Sequence, residues 1–380
     1  MSAVRRVVAL ALLAGGAGVV GAQGGAPGAA SAPAAARPDT TLPRVLVIAT
    51  GGTIAGVQDA PGTLGGYRAG TLSAEQVVAS VPELARHARV EAEQFSNVAS
   101  TNITPAMWMG LARRINAVLR ERPELAGVVV THGTDRLEET AFFLYLTVRS
   151  DKPVVVVGAQ RPATGISPDG PMNLLSAVRT AASPQAVAKG VLVVMDERIL
   201  SAREVRKQYQ RVGGFDGGEM GMLGVVTAGG PEFYFAPARR RGPASEFDLV
   251  GVDSLPRVEL VFSYPGGTGP AFAAPPVGVV VATTGFAPSE TAAFRALREQ
   301  GVVLVTAFPS GDNATGAPRA GTGAAPPRAD SAGAPAAPQR PLAPSIAAQH
   351  LTPQKARILL MLALTRSRDA AALQRMFREY

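Results

Sequence analysis

Along most of the chain, short unbroken apolar runs alternate with longer stretches in which apolar residues recur every three or four positions. The runs at residues 45–48, 128–131, 154–157 and 191–195 are valine-rich and almost wholly apolar. A strand that is apolar at successive positions has no polar face to offer water, so these predict strands buried on both sides. Between them the period lengthens. Thr104-Pro105 supplies an N-cap followed by proline at the first helical position, and Leu111, Ile115, Val118 and Leu119 then fall on one face. Residues 73–76 have the spacing of a capping box that opens another helix. Such alternation predicts an α/β fold, a mostly parallel sheet wrapped by helices.

A second, smaller set of elements follows. Strands are expected at 258–262, 277–281 and 302–307, with a helix at 289–299, and two C-terminal helices, one opened by Thr352-Pro353 and one over 370–378. The organisation expected is a larger N-terminal α/β domain over 43–241, a connection at 242–256 and a smaller C-terminal α/β domain over 257–380, with no internal repeat. Three stretches break the pattern. Residues 1–22 read as a secretory signal: Arg5 and Arg6, an uncharged stretch over 7–20, then the small-residue site Val20-Gly21-Ala22. A membrane anchor is the alternative, but Gly15, Gly16 and Gly18 cut the apolar run short of the ~20 residues that span a bilayer. Residues 23–42 read as a low-complexity tether. In the insertion at 309–344, 13 of 36 residues are Gly or Pro and Leu342 is the sole large apolar side chain, so it adds little to a core. A periplasmic or secreted protein is expected.

Composition narrows the chemistry. There is no cysteine among 380 residues, which excludes a thiol nucleophile, a zinc ribbon and an iron–sulfur cluster. His87, His132 and His350 are too scattered for a local HExxH metal motif, and no lysine follows a glycine as a phosphate loop requires. No metal or cofactor is expected. The formal charge of +8 falls to 35 − 29 = +6 without Arg5 and Arg6. The arginines are dispersed, apart from Arg239-Arg240-Arg241, and aromatics that could stack on bases are few, so nucleic acid is not an expected partner. Only Lys152, Lys189, Lys207 and Lys355 are lysines, against 33 arginines.

In open α/β sheets, ligands bind beyond the carboxyl ends of the strands. Two such ends carry the same kind of sequence, Thr50-Gly51-Gly52-Thr53 and Thr131-His132-Gly133-Thr134-Asp135. Glycine permits a tight turn and close backbone approach, and a threonine hydroxyl follows. Either alone is an ordinary turn sequence. Their duplication at two strand ends points to a site.

These segments resemble the two signature segments of bacterial type II (exported) L-asparaginases and glutaminase-asparaginases: TGGTIAG at 50–56 and VTHGTDRLEET at 130–140. The likeness continues through GAQRPATGISPDGPMNL at 158–174, VLVVM at 191–195 and TPQKARILLMLALT at 352–365. It implies hydrolysis of L-asparagine to L-aspartate and ammonia, and residue roles follow from it. Thr53 falls on the nucleophile, and Tyr67, in a glycine-rich stretch of the kind that can cover bound substrate, on its partner. Thr134, Asp135 and Lys207 fall on the second catalytic group. A chain without cysteine needs a hydroxyl nucleophile, and a hydroxyl needs activation. A lysine retained in so arginine-biased a sequence suits a role arginine cannot fill, since a partly buried lysine can give up its proton. Asp135 suits the substrate's ammonium; Ser100 and Thr101 fall where the family binds the substrate carboxylate. His132 is expected to orient its loop. The resemblance also implies a homotetramer, a dimer of dimers.

The sequence departs from the family at three places. Thr101 and Asn102 stand where Gln and Asp are common. A carboxylate expected from the C-terminal domain falls in the insertion, whose acids are Asp312 and Asp330, and the expected Asn neighbourhood reads Tyr264-Pro265-Gly266-Gly267. Two other readings therefore stay open: a dual glutaminase-asparaginase, and a periplasmic amino-acid-binding protein that kept the pocket and lost turnover.

Overall fold

The computed structural model describes residues 41–60, 66–311 and 346–380. The expected signal, nearly all of the tether and most of the insertion, with Asp312 and Asp330, lie outside them. Residues Thr41–Tyr380 form one compact unit.

In chain order the unit contains β1 (Arg44–Gly51), β2 (Val57–Gln58), β3 (Tyr67–Arg68), α1 (Ala74–Ala79), β4 (Arg89–Val98), α2 (Pro105–Glu121), β5 (Leu125–Thr131), α3 (Leu137–Thr147), β6 (Val154–Val157), α4 (Gly170–Ala182) and β7 (Val191–Met195). There follow β8 (Arg198–Ser201), β9 (Arg206–Lys207), β10 (Phe215–Asp216), α5 (Gly218–Gly221), β11 (Met222–Thr227) and β12 (Gly230–Phe233). The remainder comprises β13 (Val258–Phe262), β14 (Gly278–Ala282), α6 (Pro288–Glu299), β15 (Val303–Ala307), β16 (Ile346–Ala347), α7 (Pro353–Ala363) and α8 (Ala370–Glu379).

The larger sheet has the order β12-β11-β8-β7-β6-β5-β1-β4. Its β4-β1-β5-β6-β7 part is parallel, and β8, β11 and β12 extend it antiparallel. The smaller sheet, β13-β14-β15-β16, is parallel throughout. The valine runs are buried to the last residue in β6 and β7, as strands covered on both faces must be. Ser73 and Gln76 close the expected capping box on α1, and the Thr104 hydroxyl accepts the Met107 N–H to cap α2.

Two elements depart from the simple apolar pattern. Helix α3 is buried on all sides from Leu137 to Thr147, apart from a half-buried Glu138, because it is packed against α2, α7 and β7. Strand β4 is polar at many positions and only half-buried, since it forms the edge of the sheet beside β1.

The order β4-β1-β5 places the first strand between the second and third long strands of the chain. The connections leaving its two sides diverge, which opens a crevice at the carboxyl ends of these strands. Helix α7 joins the two sheets: it packs on α3 from one side and on β13, β14 and β15 from the other, and its apolar residues belong to a core continuous with that of the larger sheet. Among the described residues no helix is long and apolar enough to cross a membrane.

Candidate active site

The two threonine loops meet through their glycines. β1 ends at Gly51 and Gly52 follows it, with φ of +103° and +83°, a region L side chains rarely enter. A Cβ on Gly52 would lie 2.2 Å from Gly133 Cα, so the backbones of the two loops touch where no side chain fits. Gly133 in turn leaves no room beside Ser100: a Cβ there would be 2.9 Å from Ser100 Oγ. The strand ends are also tied by hydrogen bonds. Thr50 Oγ1 donates to Thr131 O at 2.8 Å, and Ser96 Oγ to Thr50 O at 3.0 Å. Three chain segments, from the ends of β1, β4 and β5, are thereby drawn together.

Each loop carries its hydroxyl one residue past the glycine contact. Thr53, only 6% exposed, opens a short 3₁₀ turn, and its Oγ1 lies 2.7 Å from the hydroxyl of Tyr67. Tyr67 reaches it from the β2–β3 hairpin, with its ring against Gly56, where a Cβ would approach the ring to 2.8 Å. Backbone bonds from Gly70 N to Gly52 O and from Thr71 N to Ala55 O fix the return of that hairpin.

Thr134 forms the second group. Lys207 Nζ donates to Thr134 Oγ1 at 2.8 Å and to Asp135 Oδ1 at 2.6 Å. The lysine side chain is 12% exposed and the Asp135 side chain half exposed, so the ion pair sits at the mouth of the crevice. Lys207 comes from β9, far along the chain, and its backbone N–H donates to the Glu138 carboxylate at 2.6 Å. Thus the loop with Thr134 and Asp135, and the first turn of α3 that follows it, hold Lys207 at both its backbone and its ammonium.

The expected residues Thr53, Tyr67, Ser100, Thr134, Asp135 and Lys207 are brought to this one end of the sheet. Thr101 shares the 3₁₀ turn Ser100–Asn102 with Ser100 but faces solvent. Two neighbours carry no role in the sequence reading. Glu138 is the acceptor just described. Gln160, beyond β6, has its Oε1 3.5 Å from Thr134 Oγ1. Its N–H donates to Asp169, which also accepts from Arg161 N and Asn173 Nδ2 and so fixes the loop between β6 and α4. Gln160 lies within the GAQRP segment that carries the family likeness, which was the signal available for it.

His132 is fully buried under the second loop. Gly133 O can only accept, so His132 Nδ1 carries the proton of their 2.7 Å bond. Nε2 then accepts from Thr140 Oγ1 at 2.9 Å, and Trp108 Nε1 donates to the same hydroxyl at 2.8 Å. Every group in this chain has one consistent direction. Burial pushes the His132 pKa down to about 4, and the ring stays neutral.

Beside the smaller sheet, in the first turn of α6, Glu290 is a buried carboxylate next to the 264–267 loop. It accepts from Ser263 Oγ at 2.8 Å and from Ala287 N at 3.0 Å, with Gly267 pressed against it. It is committed to capping α6 and holding that loop.

The family model "Asparaginase, N-terminal" matches residues 44–239. "L-asparaginase 2" of Bacillus subtilis is 40% identical over 346 residues, 89% of this chain and 87% of that protein. "Glutaminase-asparaginase" of Pseudomonas fluorescens biotype A is 38% identical over 348 residues, 90% of this chain and 91% of that one. Among solved structures, that of the "Probable Cytoplasmic L-asparaginase" from Campylobacter jejuni superposes with a TM-score of 0.78 at 33% identity, covering 89% of this chain and all of that one.

Two outcomes are expected from this geometry. Gly52→Ala forces a Cβ into the Gly133 backbone and should lower the unfolding free energy by about 2–4 kcal/mol in denaturant titration; an unchanged midpoint would show that the loops do not meet this closely. His132 gives a pH signature. Its folded pKa lies below the unfolded value of 6.5, so the unfolded chain takes up the proton first. The stabilisation is complete above pH 6.5 and is lost as pH falls toward 4. Between pH 7 and 5 the wild type should lose about 2 kcal/mol that His132→Asn does not lose.

Proposed function

The chain belongs to the asparaginase family, and we propose that it is an exported amidohydrolase converting L-asparagine to L-aspartate and ammonia with Thr53 as nucleophile. The observation that carries this is the pairing of two hydroxyl groups with their own activators, Thr53 with Tyr67 and Thr134 with Lys207, on either side of the glycine contact.

Thr53 Oγ1 attacks the side-chain amide carbon, and its proton passes through Tyr67 toward the leaving nitrogen. Backbone N–H groups of the glycine loops stabilise the oxyanion. The C–N bond breaks, ammonia leaves, and an acyl ester on Thr53 remains. Water then adds to the acyl carbon as its proton passes through Thr134, held by Lys207, to Thr53 Oγ1, and the ester C–O bond breaks to give aspartate and free Thr53. Ser100, with Thr101 beside it, holds the substrate α-carboxylate, and Asp135 its α-ammonium. Since Asp135 also pairs with Lys207, the same carboxylate couples substrate binding to the position of the second catalytic group.

Export rests on the leader-like residues 1–22, and the proposed product is periplasmic or secreted. The assembly proposed is a homotetramer of paired dimers. Glu290 is committed to Ser263 and the α6 N-terminus, so within this reading α6 does not supply a carboxylate to a neighbouring subunit from that position. A second reading, a dual glutaminase-asparaginase, is favoured by Thr101, whose side chain is shorter than the glutamine common there, and by the Pseudomonas relative of that name.

Purified mature protein, with the mass of four chains by light scattering, should release ammonia from asparagine. Thr53→Ala and Thr134→Ala should each lower kcat at least ~10²-fold; wild-type rates in both would remove the assignment. The ratio of kcat/KM for asparagine to that for glutamine separates the two readings, with comparable values establishing the dual enzyme.

A further inference from the structure

A second lysine stands behind the turn that delivers Lys207. At residues 201–205 the chain makes one helical turn: the N–H groups of Glu204 and Val205 donate to Ser201 O at 3.2 and 2.9 Å. The turn is not continued, because the chain passes directly into β9. The carbonyls of Ala202, Arg203 and Val205 converge on Lys355 Nζ, at 3.2, 2.8 and 2.5 Å. An ammonium has three donors, and here each has its own acceptor.

This is a poor place for a cation on grounds of stability alone. Lys355 is fully buried and lies in the first turn of α7, where the helix dipole repels positive charge. Burial pulls its pKa down to about 8; Glu138 and Glu204 oppose that shift, and Arg206 and Arg203 add to it. What offsets the unfavourable position is the set of carbonyls immediately upstream of Lys207. On its other side Nζ lies 5.8 Å from the ring centroid of Phe142 in α3, the helix that begins just after Thr134 and Asp135. Lys355 therefore stands between the two chain segments that carry the second catalytic group.

We infer that Lys355 is a positioning residue for the amide hydrolysis: by gripping the 201–205 turn against α3, it sets the reach of Lys207 Nζ to Thr134 and Asp135. Glu138 is the front of the same clamp, fixing the Lys207 N–H, and Lys355 is the back. The inference rests on the reading of Lys207 as a catalytic group.

A double-mutant cycle on the full chain tests it, with asparagine as substrate and circular dichroism to verify folding. Lys355→Met keeps the length of the side chain and removes all three donors. It should lower kcat about 10–100-fold, the effect of misplacing a reacting group by a fraction of an ångström to an ångström, with KM within ~3-fold of wild type. In the Lys207→Met background the same change should alter kcat by less than ~2-fold, because its target is gone. Losses that multiply in the double variant would overturn the inference and leave Lys355 a purely structural residue. Wild-type kcat in Lys207→Met alone would overturn the catalytic reading of Lys207, and the inference with it. Should Lys355→Met not yield folded protein, Lys355→Gln, which retains amide donors, is read in the same cycle against the same two outcomes.

Discussion

The close approach of Gly52 to Gly133 is the constraint on which the site depends. Adjacent parallel strands lie about 4.8 Å apart, and their carboxyl ends would ordinarily diverge into separate turns. Here two backbones come together after β1 and β5 because neither residue carries a Cβ at the contact, and Gly52 also adopts a positive φ. Thr53 and Thr134, each one step further on, are delivered to the same crevice. The contact is effective because the sheet beneath it is rigid. Valine-rich strands packed on both faces fix the positions from which the loops start.

Above that scaffold, polar groups are placed by complete hydrogen bonding. The run from Trp108 through Thr140 and His132 to Gly133 O satisfies a buried indole, a hydroxyl and an imidazole with donors and acceptors in one direction. A half-satisfied network in the same place would weaken the fold and let the loop move. The histidine, hydrogen-bonded at both ring nitrogens, is thus a neutral support. The charged groups of the crevice are Lys207 and Asp135, paired at the rim, where water still reaches the carboxylate.

Much of this was legible in the chain. The runs at 154–157 and 191–195 are strands with those bounds, because a strand covered on both faces must be apolar throughout. The caps at Ser73 and Thr104 are local and act as local signals do. Helix α3 was harder to see: buried on nearly every side, it has no polar stripe, and Leu-Glu-Glu-Thr-Ala-Phe-Phe lacks the periodicity of a surface helix. Strand β4 was hidden for the opposite reason, since an edge strand tolerates the glutamates and glutamine that mask its alternation. In the crevice, the positions of Thr53 and Thr134 were marked in the sequence by the glycines before them. Glu138 and Gln160 did not, because a carboxylate accepting a backbone N–H, or an amide beside a hydroxyl, leaves no mark in spacing. The scarcity of lysine drew attention to Lys207; the same signal was present at Lys355.

The sequence by itself determined the α/β class, the two threonine loops and the family likeness, and the absence of cysteine excluded a thiol nucleophile. These are carried by hydrophobic period, by glycine and by residue type, all properties of short segments. The tertiary structure alone decided which side chain each hydroxyl meets and what holds that partner in place. Tyr67 meets Thr53 across a hairpin, Lys207 meets Thr134 across 73 residues, and Lys355 reaches the 201–205 turn across about 150. Contacts of that span are set by the packing of helices and strands against one another. No local pattern records them, because the side chains become neighbours only after the core beneath them has formed.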